Sequence, residues 1–204
     1  QSIAADNEVE LRLAQLDPDG NCTSGINRIV SDLTYTGGHA VKDLIHWDPS
    51  KYLNVYVVQN ASGLAGHALV PPAADTIPEW DGIVIGYNYV GSIGASNYVR
   101  SVVLSHELGH YLSLEHVWGG NNNPGINCGS DGVSDTPACI GSTTCSLNAN
   151  TCSSDNAFWG FDQIDNVENY MDYSYCSRMF TAGQVDRMRT ALTITSTGRA
   201  NVVS

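Results

Sequence analysis

The stretch HELGHYLSLEH, residues 106–116, holds three of the chain's six histidines and restricts how the backbone around it can run. Residues four apart on an α-helix share a face one turn apart, so His106 and His110 can present two imidazoles to a single point. Glu107 then stands about 100° round from His106, beside that point without being on it. The step from His110 to His116 is not a whole number of turns, so the third ring cannot join from the same helical face. If the three converge, the helix ends near residue 113 and the chain swings back. Val99, Val102 and Val103 precede His106 at helical spacing with no proline among them, and this predicts a helix that begins at Tyr98.

Three neutral ring nitrogens with a fourth position left open make a catalytic rather than a structural zinc site. Glu107 is placed to take a proton from a water at that metal. The plain alternative, surface histidines grouped by accident, rarely yields this spacing. Glu115 reads as an exposed carboxylate or as a contributor to the local negative field. His39, His46 and His67 show no ligand spacing and read as ordinary.

Among 204 residues, 21 acidic side chains face 9 basic ones, a formal net charge of −12. Such a surface repels phosphate backbones and anionic headgroups, so nucleic acid is not expected as a partner, nor is a membrane surface. No apolar run approaches the ~18 residues of a membrane span, so membrane insertion is not expected either. The first residue is Gln1, which suggests trimming from a longer precursor. Cysteines at 22, 128, 139, 145, 152 and 176 include no Cys-x-x-Cys pair, which favours disulfides over a zinc cluster and an oxidising, secreted setting. The residues alone leave every pairing open.

Along the chain, VELRLAQL (9–16) alternates like a strand and is followed by the turn Asp17-Pro18-Asp19-Gly20. YLNVYVV (52–58) reads as a buried strand, and DGIVIGYNYVG (81–91) as another. Residues 119–156 have almost no apolar periodicity, so cross-links or a cation must hold them. Thr181-Ala-Gly-Gln184 is a capping box that opens a last helix, with Val185, Met188 and Leu192 on its apolar face. The expected architecture is α+β: one monomeric domain with an upper lobe over about 1–115 and a lower lobe over about 116–204.

With NYMDY (169–173) downstream of HELGHYLSLEH, the chain resembles the pappalysin family of metzincin zinc metallopeptidases. LDPDGNCTSGINR, YLNVYVV, DGIVIGYNYVG, VSDTPAC and NYMDYSYCSRMFTAGQVDRM all look like blocks of that family's catalytic domain, in the same order. The resemblance implies a twisted mixed sheet with backing helices above the cleft, and an irregular disulfide-linked lower lobe ending in a helix. It implies zinc on His106, His110 and His116, with Glu107 as general base and acid. Met171 would form an apolar floor in a tight turn, and Tyr173 would donate a hydrogen bond to the tetrahedral intermediate; from the residues alone, core packing remains open for both. The activity implied is endopeptidase cleavage of a protein or peptide substrate lying extended along an edge strand at 82–91. Calcium is implied near SDGVSDTP, with Ser130, Asp131, Ser134 and Thr136 as ligands and Asp135 as a weaker choice. The implied disulfides are Cys128–Cys152 and Cys145–Cys176, which leaves Cys22–Cys139.

Two departures from the family pattern matter. Ser113 stands where the family has glycine, a position needing positive φ, so a strain of roughly 1 kcal/mol is expected there. Only Ser174 and Tyr175 separate Tyr173 from Cys176, without the carboxylate associated with arginine preference. A different class is also open: a catalytically silent extracellular binding module stabilised by zinc and calcium. Retention of Glu107 argues against it, since a purely structural site has no use for a base.

Overall fold

The computed structural model describes residues 4–153, 159–194, 198–200 and 202. Its main sheet contains β2 (Val55–Val58), β3 (Gly66–Ala68) and β4 (Ile83–Gly86), in the order β2-β4-β3. β2 lies parallel to β4 with Val55 opposite Ile83, and β3 lies antiparallel to it with Gly66 opposite Ile85. Every residue of β4 is buried because both faces of the strand are covered. Ile83 and Ile85 join Leu108 and Tyr111 of the long helix α2 (Tyr98–Tyr111) in the main core. Val84 packs the other way, with Val41, Val58 and Ala61. A short helix, α1 (Pro71–Ala74), connects β3 towards β4.

This order corrects two expectations. Segment 82–91 is not an edge strand: 83–86 is the centre of the sheet, and the chain leaves it in a 3-10 turn at Tyr87–Tyr89. The edge on that side is β3, which among the described residues pairs only with β4. Conversely, YLNVYVV yields the outer strand β2, where Val55 and Val57 are exposed and only Val58 is buried. A run of β-branched residues marks a strand but does not rank it within a sheet. The alternating segment 9–16 forms no strand; it makes only a bridge between Leu16 and Cys22, and Leu11 and Leu13 stay exposed.

Beyond α2 the chain is irregular. Residues 112–153 carry only turns, bends and isolated bridges, and 154–156, the end of the aperiodic stretch, lie outside the described residues. Two disulfides hold this part, Cys128–Cys152 and Cys145–Cys176, as the resemblance implied. The third pairing is corrected, since Cys22 and Cys139 are both free. Cys22 is exposed at its turn, whereas Cys139 is bridged to Gly129 and buried in the main core, so the two thiols occupy different environments.

The last helix, α3 (Ala182–Thr193), opens on the expected capping box, with Thr181 accepting from the Gln184 amide and Gln184 accepting from Thr181 N. Gln184 is also a junction between segments. Its Oε1 accepts from Asn169 Nδ2 (2.8 Å), and its Nε2 donates to Asp131 Oδ2 (3.0 Å). The ends of the chain cross between the halves. β1 (Ala4–Ala5) pairs with β5 (Phe180–Thr181), while buried Arg199 pairs with Asp81 at 2.6 Å and lies over the Tyr111 ring.

Candidate metal centre and active site

Helix α2 carries the first three members of the site. Asn97 caps it by accepting from Arg100 N (3.0 Å), and its regular path ends at Tyr111, close to the break expected near residue 113. Leu114 N then donates to Gly109 O (2.9 Å) across a tight turn in which Ser113 has φ 75°, the left-handed conformation expected where the family has glycine. That turn reverses the chain and brings His116 back over His106 and His110.

The three imidazoles converge, with His110 edge-on to both other rings and His106 tilted against His116. Ring centroids are 4.7 Å apart for His106–His110, 4.7 Å for His110–His116 and 5.3 Å for His106–His116. One ligand nitrogen from each lies within 4.8 Å of the others. Every Nδ1 is held by a backbone carbonyl: His106 by Tyr170 O (2.7 Å), His110 by Leu114 O (2.8 Å) and His116 by Asn121 O (2.9 Å). A carbonyl can only accept, so each Nδ1 carries the proton and, in the neutral ring, each Nε2 presents a lone pair. His110 Nε2 and His116 Nε2 are 3.2 Å apart with no proton to share, an arrangement that a cation between them would relieve. Three imidazole nitrogens suit zinc.

Electrostatics point the same way. Burial pushes the His106 and His110 pKa values down, and that of His116 down to about 3, which keeps the rings in the neutral form that binds metal. Glu107 is 4% exposed, and burial pushes its carboxyl up to about 8. Its Oε2 has no hydrogen-bond partner. An acid this buried without a donor is costly unless it has work to do. Gly66 of β3 lies against it; a Cβ there would stand 3.0 Å from Glu107 Cγ and Oε1.

Met171 is fully buried below α2, where a Cβ at Gly109 would overlap its sulfur, so HELGH needs glycine at its fourth position. Asn169 Oδ1 accepts Met171 N (2.9 Å) in the turn that also supplies the Tyr170 carbonyl to His106. Tyr173 is 39% exposed, with its ring 4.9 Å from His116 and 5.6 Å from His106; burial and the Glu107 carboxyl push its pKa up. Asp172 Oδ1 accepts from both Tyr173 N (2.7 Å) and Ser142 N (2.8 Å), tying this turn to the loop below.

The expected calcium ligands divide. Asp131 and Thr136 are buried together, and burial raises the Asp131 carboxyl to about 6; Ser130 and Ser134 are exposed. Asp131 Oδ1 accepts from Val133 N (2.9 Å), and Arg187 donates to the Asp131 and Gly132 carbonyls (2.7 Å each). Asp135 instead holds Thr181 Oγ1 (2.8 Å) and Gly183 N (2.9 Å) at the start of α3. The other histidines lie elsewhere: His39 stacks on Trp80, His46 meets Tyr56 and His67 meets Gly37 O.

Trp118, Asn121, Gly66 and the Tyr170 and Leu114 carbonyls escaped the reading from sequence. A carbonyl has no residue-type signal; only Trp118, two residues past the third histidine, could have been singled out.

A pair of histidines on one helix, a third returned by a turn and a buried acid at their side define the class of metal-dependent hydrolases. The chain belongs to the peptidase family described as pregnancy-associated plasma protein-A, whose model matches residues 20–193. It is similar to an extracellular metalloprotease of Arthroderma benhamiae, 33% identical over 154 residues that cover 72% of this chain and 53% of that protein. An extracellular metalloprotease of Neurospora crassa is 32% identical over 155 residues, 73% of this chain and 51% of that one. The chain thus spans about half the length of the curated relatives it matches. Among solved structures, mirolysin in complex with compound 9 superposes with a TM-score of 0.81 at 30% identity, covering 98% of this chain and 77% of that one. Mature mirolysin of Tannerella forsythia, in complex with a cleaved peptide, gives 0.78 at 29% identity, with coverage of 99% and 77%. Among the described residues, no helix is long and apolar enough to cross a membrane.

Proposed function

We propose that this chain is the catalytic domain of a secreted, zinc-dependent endopeptidase that hydrolyses internal bonds of proteins and acts as a monomer. The observation that carries the reading is the tautomer set. Three Nδ1–H groups end on carbonyls, three Nε2 lone pairs converge, and a buried carboxyl with a free oxygen stands beside them. His106, His110 and His116 would hold zinc, which when bound acidifies a water and polarises the scissile carbonyl. Glu107 would accept the proton of the attacking water and return it to the leaving amine. Tyr173, close to two of the ligand rings, would donate to the developing oxyanion. The substrate would lie extended against the outer edge of β3, where its main chain can add a strand beside Gly66 and hence beside Glu107. Asp131 and Thr136 offer hard oxygens for calcium, although Arg187 already occupies the carbonyls of residues 131 and 132.

The test is casein digestion followed with zinc content. Wild type should bind one zinc and cleave casein, and a chelator should abolish cleavage. Glu107→Ala should keep the zinc and lose about 10²–10⁴-fold in rate. A zinc-loaded wild type that cleaves nothing in a broad peptide library, or a Glu107→Ala variant as fast as wild type, would refute the reading.

A further inference from the structure

We propose that Trp118 is a positioning residue for His116, holding that imidazole in the orientation and tautomer that metal binding needs; the inference rests on the metal site proposed above. His106 and His110 are placed by helix α2, but His116 follows its end, on irregular backbone held by a bridge to Gly119 and by Val117 N donating to Met171 O (3.3 Å). A side chain on irregular backbone needs something else to stop its ring from turning. The indole of Trp118 lies flat on it, with centroids 4.6 Å apart and planes 4° from parallel.

The indole also acts through a shared acceptor. Trp118 Nε1 donates to Asn121 O at 3.0 Å, and His116 Nδ1 donates to the same oxygen at 2.9 Å. One carbonyl has two lone pairs, so both bonds are satisfied together. Asn121 lies in an exposed loop, and the indole N–H anchors the carbonyl that in turn fixes which nitrogen of His116 carries its proton. Trp118 therefore restrains the ring by its face and the tautomer by its N–H.

The indole is itself clamped from below. It is 3% exposed, and Gly141, at φ +76°, sits where any Cβ would overlap the six-membered ring. The next residue, Ser142, donates its N–H to Asp172, which also receives Tyr173 N. Tyr173 closes the remaining side, with its ring edge-on to Trp118 at 5.0 Å. His116 is thus both placed and oriented by the lower, cross-linked part of the molecule, whereas His106 and His110 are placed by helix α2 of the upper.

Two variants separate the contributions: Trp118→Phe keeps a stacked ring and removes the N–H, and Trp118→Leu removes both. Zinc affinity is read by competition with a chromophoric chelator, ligand geometry by the visible absorption of the cobalt(II)-substituted protein, and folding by circular dichroism of the metal-free form. Loss of an outer partner of a ligand typically weakens metal binding about 10–100-fold, and that is the expected change for Trp118→Leu, with Trp118→Phe at about 3–10-fold and altered cobalt bands. Trp80→Phe, at the stacked pair with His39, should leave zinc affinity at the wild-type value. Should Trp118→Leu fail to fold, Trp118→Phe decides alone. A folded Trp118→Phe with wild-type zinc affinity and an unchanged cobalt spectrum overturns the proposal and leaves the metal site standing. A wild type that binds neither ion overturns both.

Discussion

The upper and lower walls of the histidine centre are built by different physics. Above it, β4 and α2 pack through Ile83, Ile85, Leu108 and Tyr111, an ordinary apolar interface between regular elements. Below it, the chain from 112 to 153 has no helix or strand, and its order comes from two disulfides, from Asp172 across to Ser142, and from Gln184 between Asn169 and Asp131. The upper wall supplies His106, His110 and Glu107; the lower wall supplies the carbonyls that orient the rings. A rigid scaffold for the ligands and a stapled loop for their supports divide one task between them.

The contrast can be broken most severely by cutting a staple. Replacing Cys145 and Cys176 together by serine should cost about 2–5 kcal/mol of stability, read from denaturant midpoints. Hydrogen exchange should rise first in residues 139–153 and only later in α2; uniform exchange across both walls would contradict the division.

A second test uses charge. Burial raises the Asp172 carboxyl from 3.8 to about 6, so the folded protein binds this proton more tightly than the unfolded chain does. Stability from this group is therefore complete below about pH 4 and is lost as pH rises through 6. Its size is on the order of 2–3 kcal/mol. Asp172→Asn keeps the accepting oxygen and cannot ionise, so the gap in unfolding free energy between variant and wild type should change over that pH range at saturating zinc. A gap independent of pH would show that Asp172 is not held in a dry site.

The smallest expected effect concerns calcium. If Asp131 and Thr136 take the ion with the weak affinity of extracellular sites, millimolar calcium should add about 1–2 kcal/mol, seen as a rise in Tm that Asp131→Asn removes. No rise would mean that Gln184, Val133 and Arg187 already complete the loop.

The same divide governs what could be read from sequence. His106, Glu107 and His110 were legible because helical spacing is local, and the return of His116 followed from a residue count that is not a whole number of turns. The capping box at Thr181 and Gln184 was equally local. Strand rank was not legible: IVIG and VYVV look alike in composition, yet the first is central and the second lies on the outside. The pairing of Cys22 with Cys139 came from elimination, which carries no information about where either thiol lies. The carbonyls that orient the rings belong to Tyr170, Leu114 and Asn121, whose side chains say nothing about them.

The absence of a side chain at residue 66 has an effect of its own. Because bare backbone is all that separates β3 from the Glu107 carboxylate, any displacement of the strand is felt by the acid with no cushioning atoms between. A molecule gripping the outer edge of β3 would therefore bear on how far the Glu107 carboxyl can swing.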